Sequence, residues 1–140
     1  MIKQPFFQLQ TAIFETLTND DAVMAIIGVN DDGDPQVYDG APENPRYPYI
    51  LIGEDSFSRT DWYQVAQPLV TCVTQEHGRM SPIKQLAAAV QDALDVELQI
   101  DGFTTTEWQA EEADFGREYV DGTEIADLSF RYVLDPDEGQ

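Results

Sequence analysis

Apolar residues recur every third or fourth position near the start of the chain. Phe6, Leu9, Ile13 and Leu17 form one stripe, widened by Phe7 and Phe14. That spacing predicts an amphipathic helix from about Pro5 to Leu17, stopping at Thr18-Asn19. Asp20 and Asp21 put negative charge where the first N–H groups of a helix point, which predicts a second, short helix with Val23, Ile26 and Ile27 inward and Gly28 as its stop. Asn30-Asp31-Asp32-Gly33-Asp34-Pro35 reads as an exposed turn. The period then changes. Val37-Tyr38 reads as a short strand. From Gly40 to Pro48 the prolines Pro42, Pro45 and Pro48 remove ladder donors, so this stretch is an ordered loop. Tyr49-Ile50-Leu51-Ile52-Gly53 is continuously apolar, which predicts a strand covered on both faces and extending to Arg59. Thr60-Asp61-Trp62 begins a hairpin tip, and Val65 to Gln75 returns as the antiparallel partner, closed by His77-Gly78.

Ser81-Pro82 predicts a helix start, with a capping hydroxyl and proline in the first turn. Ile83, Leu86, Ala87, Val90 and Leu94 give its buried face, ending near Asp95. Three further strands are predicted: Val96 to Phe103, Trp108 to Phe115, and Thr123 to Leu134, the last with an irregularity near Asp127 that has the look of a bulge. Asp121-Gly122 is a turn signal. The fold class is therefore α+β, an antiparallel sheet packed by two or three helices, in the order α-α-β-β-β-α-β-β-β. Residues 1–134 read as one domain and 135–140 as a short, acidic, frayed tail.

Composition bears on partners. The chain has 140 residues, 27 Asp and Glu against 7 Lys and Arg, and a formal net charge of -20. Such a balance argues against holding DNA by its phosphates and against docking on an anionic membrane. Self-repulsion opposes compactness in dilute salt and is largely screened in molar salt, so adaptation to a salt-loving host's cytoplasm is the first reading of the charge. An acidic protein of an ordinary cytoplasm is the second, and a negative surface that does not hold passing DNA is the third. The single cysteine, Cys72, permits no internal disulfide. No apolar run reaches the ~18–20 residues of a membrane span, and the start from Met1 to Gln10 lacks the pattern of a signal peptide.

Candidate chemistry is thin. His77, the one histidine, lies in a glycine-flanked turn with no nucleophile motif nearby. Cys72 in an apolar strand reads as a small buried hydrophobe. Glu54-Asp55 and Glu111-Glu112 are carboxylate pairs of the kind that 27 acids produce by chance. Asp31-Asp32-Gly33-Asp34 lacks the alternating ligands and closing Glu of a calcium loop. Trp62 and Trp108 read first as core aromatics and second as exposed contacts. No catalytic, cofactor-binding or metal residue is assigned, and the chain reads as a non-enzyme.

The run Val37-Tyr38-Asp39-Gly40-Ala41-Pro42, followed by Arg46-Tyr47-Pro48-Tyr49-Ile50-Leu51-Ile52-Gly53-Glu54-Asp55, resembles the signature of the tail-completion, or tail-terminator, family of long-tailed phages, archaeal tailed viruses and gene transfer agents. The helix Leu9 to Leu17, the segment Ile26-Ile27-Gly28, the helix Ile83 to Leu94, Leu98 to Gly102 and the strand Ala126 to Val133 follow in matching order over nearly the whole chain. Thr74-Gln75-Glu76-His77 departs from the resemblance, which favours a basic or aromatic strand end there. The resemblance implies a structural virion protein at the head-tail junction. Such a protein forms a homo-oligomeric ring, a hexamer, that caps the tail tube protein and meets the head-completion or stopper protein, while genome DNA passes through its centre. A neighbouring neck protein (head-completion or adaptor) and an acidic DNA-mimic inhibitor are the alternatives. Expected contact segments are the proline loop Ala41 to Pro48, the hairpin tip Ser56 to Gln67 and an acidic loop Glu111 to Gly122. Arg46, Tyr47, Arg59, Trp62, Tyr63, Glu111, Glu112 and Arg117 are the candidate interface residues.

Overall fold

The computed structural model describes residues 4–137; Met1 to Lys3 and the last three residues lie outside it, and with them the outermost part of the start read as leaderless and the end of the acidic tail. Helix α1 (Phe6–Thr18) buries Leu9, Ala12, Ile13 and Leu17, the predicted stripe. Its last turn is tied by the Thr16 and Thr18 hydroxyls, which donate to the Ala12 and Phe14 carbonyls. Helix α2 (Asp21–Ile27) is capped by Asp20, whose carboxylate accepts from the Val23 N–H at 3.0 Å, and ends at Gly28 with φ 65°. Val23 and Ile27 face the core, but Ile26, expected inward, sits on the exposed flank of this short helix.

The sheet is built from β1 (Val37–Tyr38), β2 (Tyr49–Arg59), β3 (Gln64–Thr74), β4 (Phe103–Glu118) and β5 (Thr123–Pro136), in the spatial order β1-β2-β3-β5-β4. All neighbours run antiparallel except β1, which pairs parallel to β2, so the sheet is mixed. Helix α3 (Ser81–Leu94) lies between β3 and β4 in sequence and packs on β3 and β5, while α1 packs on β1 and β2. The helices cover one face. Hence β2 is buried at Ile50 and Ile52 but only half-buried at Tyr49 and Leu51, and the two-sided cover expected for this strand is absent. Its continuous apolar run has another cause: Leu51 shelters beside Gly40, Ala41 and Leu69 on the open face.

The α+β class and the element order hold, with the strand expected at 96–103 reduced to a single bridge between Ile100 and Phe103. Leu98 and Ile100 alternate into the core as a strand would, yet the segment is an irregular cover over the end of the sheet, and the Thr105 hydroxyl satisfies the Leu98 carbonyl at 2.9 Å. Phe103 instead opens β4, which is longer than the strand expected from Trp108 to Phe115. No bulge occurs at Asp127; β5 pairs continuously there, and the register shifts lie in β4, at Thr105/Glu107 and Ala110/Glu112, and in β2, at Leu51/Glu54. The β2 bulge uses Gly53 at φ 110°, a conformation that disfavours any side chain, beside the Gln10 amide. Met80, not Ser81, is the N-cap of α3, and no side chain caps it; Pro82 occupies the first turn as predicted. Of the tail expected to fray, Asp135 and Pro136 continue β5, and Asp137 donates its N–H to the Gly102 carbonyl and accepts from Thr104 through its carboxylate.

One cluster of buried residues joins the three helices to β1, β2, β3, the start of β4 and β5. Phe130 and Tyr132 are its largest fully buried members, stacked at 6.3 Å, and the Tyr132 hydroxyl donates to the Leu94 carbonyl at the end of α3. Cys72 is buried here as expected, and burial, with Asp127 second, pushes its thiol up to about 12, so it stays an uncharged core residue.

Candidate functional site

The motif residues come together at the β1 edge. Val37 is buried and pairs with Ile50, and Tyr38 pairs with Leu51. A buried glutamine, Gln36, organises the proline loop: its amide N–H groups donate to the Arg46 and Pro48 carbonyls at 3.1 and 3.3 Å, and its amide oxygen accepts from the Tyr38 hydroxyl at 2.8 Å. Pro48 follows a cis peptide bond. Tyr49 lies edge-on to Tyr38 and tilted against Tyr47, and burial, then Tyr47, raises its hydroxyl pKa. Asp39 and Gly40 are exposed at the corner, Asp39 accepting from the Gln10 amide at 3.4 Å, and Pro42 is partly covered. The motif thus encodes a rigid loop anchored on a strand. No motif marks Gln36 in the sequence, although a polar residue directly before a buried strand is a usable signal.

The candidate interface residues do not form one surface. Arg46 makes an exposed ion pair with Asp31 at 2.8 Å, and Tyr47 adjoins it. Arg59, Trp62 and Tyr63 gather at the β2–β3 tip, where the Thr60 hydroxyl accepts from the Trp62 and Tyr63 N–H groups. Trp62 is 83% exposed there, and Trp108 is 40% exposed on β4, so neither is a core aromatic. Residues Glu111 to Glu118 are strand rather than loop, because β4 pairs with β5 along its whole length; only Tyr119 to Gly122 turn. This brings Glu111 and Glu112 opposite Glu54 across a groove of about 720 Å³ on the open face, where the Gln67 amide reaches Glu111 at 3.4 Å. Asp55 also lines the groove; burial raises its pKa, and its Oδ1 is buried and unpaired. Arg117 lies at the far end, its guanidinium donating to the Gly78 carbonyl at 3.0 Å.

A further carboxylate belongs to no sequence motif. Glu124 is completely buried and accepts from the Thr74 hydroxyl at 2.8 Å, the Glu76 N–H at 2.9 Å and the Gly78 N–H at 2.7 Å. Desolvation is the largest single influence and pushes its pKa up. The donated hydrogen bonds and nearby His77 together outweigh it and hold the carboxyl below its ordinary value. Its parity with Ala126, Leu128, Phe130 and Tyr132 was the available signal. Glu124 therefore locks the turn between β3 and α3, in which His77 takes φ 53° and donates its backbone N–H to Gly122. That role is structural. What the molecule presents to others is surface: a rigid loop, an aromatic hairpin tip, an acidic groove and a long edge strand.

Among the described residues no helix is long and apolar enough to cross a membrane, and no group of three His, Cys, Asp or Glu is placed to hold a metal. A family model for tail completion protein gp17 matches residues 11–135. A chain in a solved structure of the virion of a native gene transfer agent particle is 25% identical, with a TM-score of 0.76 over 91% of this chain and 94% of its own. A second solved chain, 14% identical, shares the fold with a TM-score of 0.56 over 92% of this chain and 94% of its own. No curated protein matches.

Proposed function

The chain belongs to the tail completion protein gp17 family, a family of structural virion proteins, and on that premise we propose that it is the tail terminator of its particle. In this reading, copies form a ring, a hexamer, on the head-proximal end of the tail tube, stop the tube's growth and offer a seat to the head-completion protein. The observation that supports it most is the end-to-end likeness to a chain of a gene transfer agent virion, since 91% of one chain and 94% of the other coincide. The surfaces suit adhesion. The proline loop, the Trp62 tip and the β4 edge are each stiffened by hydrogen bonds or pairing, so binding through them orders little further chain.

The net charge of -20 supports two further parts of the reading. Acidic side chains around a central channel repel phosphates, so genome DNA slides without being held. A host cytoplasm rich in salt screens the same charges between subunits. The test is a tail-tube polymerisation assay in ~0.15 M and in molar salt. A terminator arrests tube growth at substoichiometric amounts; a protein that leaves tubes growing but binds the portal end is the adjacent neck component. Stability that rises steadily with salt supports adaptation to a saline host, and stability indifferent to salt removes it.

A further inference from the structure

A ring of identical copies needs two unlike surfaces on one chain that fit each other, so the contact inferred between copies rests on the terminator reading. β1 and β4 are the two opposite edges of the sheet, and each carries exposed apolar residues. At the β1 edge, Phe7, which is 75% exposed, lines a groove of about 360 Å³ with Phe14 and Tyr38, rimmed by Glu15 and Asp39. The ion pairs among the described residues are Arg46–Asp31 and Arg79–Glu76, so neither rim carboxylate is neutralised by a cation of its own chain.

At the β4 edge, the register places Trp108, Ala110, Ala113, Phe115 and Arg117 on the face shared with the helices, opposite Tyr132, Phe130, Leu128, Ala126 and Glu124. Trp108 and Phe115 each remain 40% exposed. Lys84 of α3 holds its ammonium 5.9 Å from the Phe115 ring centroid, Arg117 follows two residues on, and Arg79 adjoins the Gly78 carbonyl that Arg117 binds. Three of the six Lys and Arg among the described residues, seven in the chain less Lys3, thus gather around one apolar strip of a strongly acidic protein.

We propose that the β4–α3 face of one copy seats Phe115 on the α1–β1 groove of the next copy, with Lys84 and Arg117 facing Glu15 and Asp39. Apolar strip meets apolar groove, and the local basic patch meets uncompensated carboxylates, which sets partner and register. Because the two patches differ and lie on opposite edges, the contact runs head to tail, the type that makes a ring when its rotation closes.

The test is the mass in solution, by light scattering at the lowest salt in which the wild type is multimeric, of the wild type, of K84E/R117E, of E15K/D39K and of their equimolar mixture. The wild type is expected to be multimeric. Each variant alone puts like charges face to face and should fall to monomer. The mixture should regain the multimer with both variants in equal share, because each reversed face then meets its opposite. Either variant keeping the wild-type mass, or a mixture of folded variants staying monomeric, overturns this docking while leaving the ring standing. A wild type that is monomeric at every concentration and salt overturns both. Should K84E/R117E lose its far-ultraviolet circular dichroism, Phe7→Ala and Phe115→Ala replace the charge variants: Phe7 is 75% and Phe115 40% exposed in the monomer, so loss of mass from each supports the contact and retained mass overturns it.

Discussion

β5 and β4 are paired to each other along their length yet live in different surroundings. β5 has β3 on its other side and α3 above it, and its residues alternate between buried and half-buried. Among the described residues β4 has no further neighbour, and from Glu107 onward it is exposed on both faces except for half-buried Ala110. The same backbone geometry therefore serves two ends. β5 concentrates burial, and β4 offers an unpaired edge that its five acids, Glu107, Glu111, Glu112, Asp114 and Glu118, protect against indiscriminate pairing. On that same strand Trp108 and Phe115 each stay 40% exposed.

The contrast is broken most severely from the β5 side. Phe130→Ala removes a ring that is 1% exposed and stacked on Tyr132, and is expected to cost about 3–5 kcal/mol of unfolding free energy in a denaturant titration. Next in size, Glu124→Ala leaves the Glu76 and Gly78 N–H groups and the Thr74 hydroxyl without their acceptor, for a loss of about 1–3 kcal/mol. This residue also carries a pH signature. Its folded pKa lies below the ordinary 4.5, so its contribution is complete above about 4.5 and drains away as pH falls through the lower folded value. Melting curves between pH 6 and pH 3 should show the wild type losing an increment of stability that Glu124→Gln lacks. Smallest is Trp108→Ala on β4: the exposed position predicts a change of about 0.5 kcal/mol or less in the folded monomer. A cost approaching that of Phe130→Ala would mean that β4 belongs to the core after all.

These two strands also mark what was readable in advance. The alternation of Leu128, Phe130, Tyr132 and Leu134 locates β5, although Ile125 falls out of phase with them and suggests a bulge that is not there, and the three-and-four spacing of Leu9, Ile13 and Leu17 locates α1, because both faces of each element meet different media. The same alternation in Val96, Leu98 and Ile100 misled, since a loop that caps the core also buries alternate side chains while lacking a ladder partner. For β4 the pattern predicts only Trp108 to Phe115 as strand and Glu111 to Gly122 as loop, because an edge strand with no covered face carries no period. Of the candidate surfaces, the motif loop was legible as a unit. The groove joining Glu54 to Glu111 and Glu112 was not, because its walls are 57 residues apart in sequence, from 54 to 111, and meet only through β3 and β5.

By itself the sequence determined the helices, the β2–β3 hairpin, the α+β class and the resemblance of the central motif, all features governed by local spacing and turn chemistry. Only the tertiary structure decided which strand became the edge, that Gln36 and Glu124 would be buried acceptors and donors for distant loops, and that the scarce cations would collect beside Phe115 on the side opposite the Phe7 groove. Periodicity reports which face of an element is covered; what covers it, and what is left uncovered, depends on contacts between segments far apart along the chain.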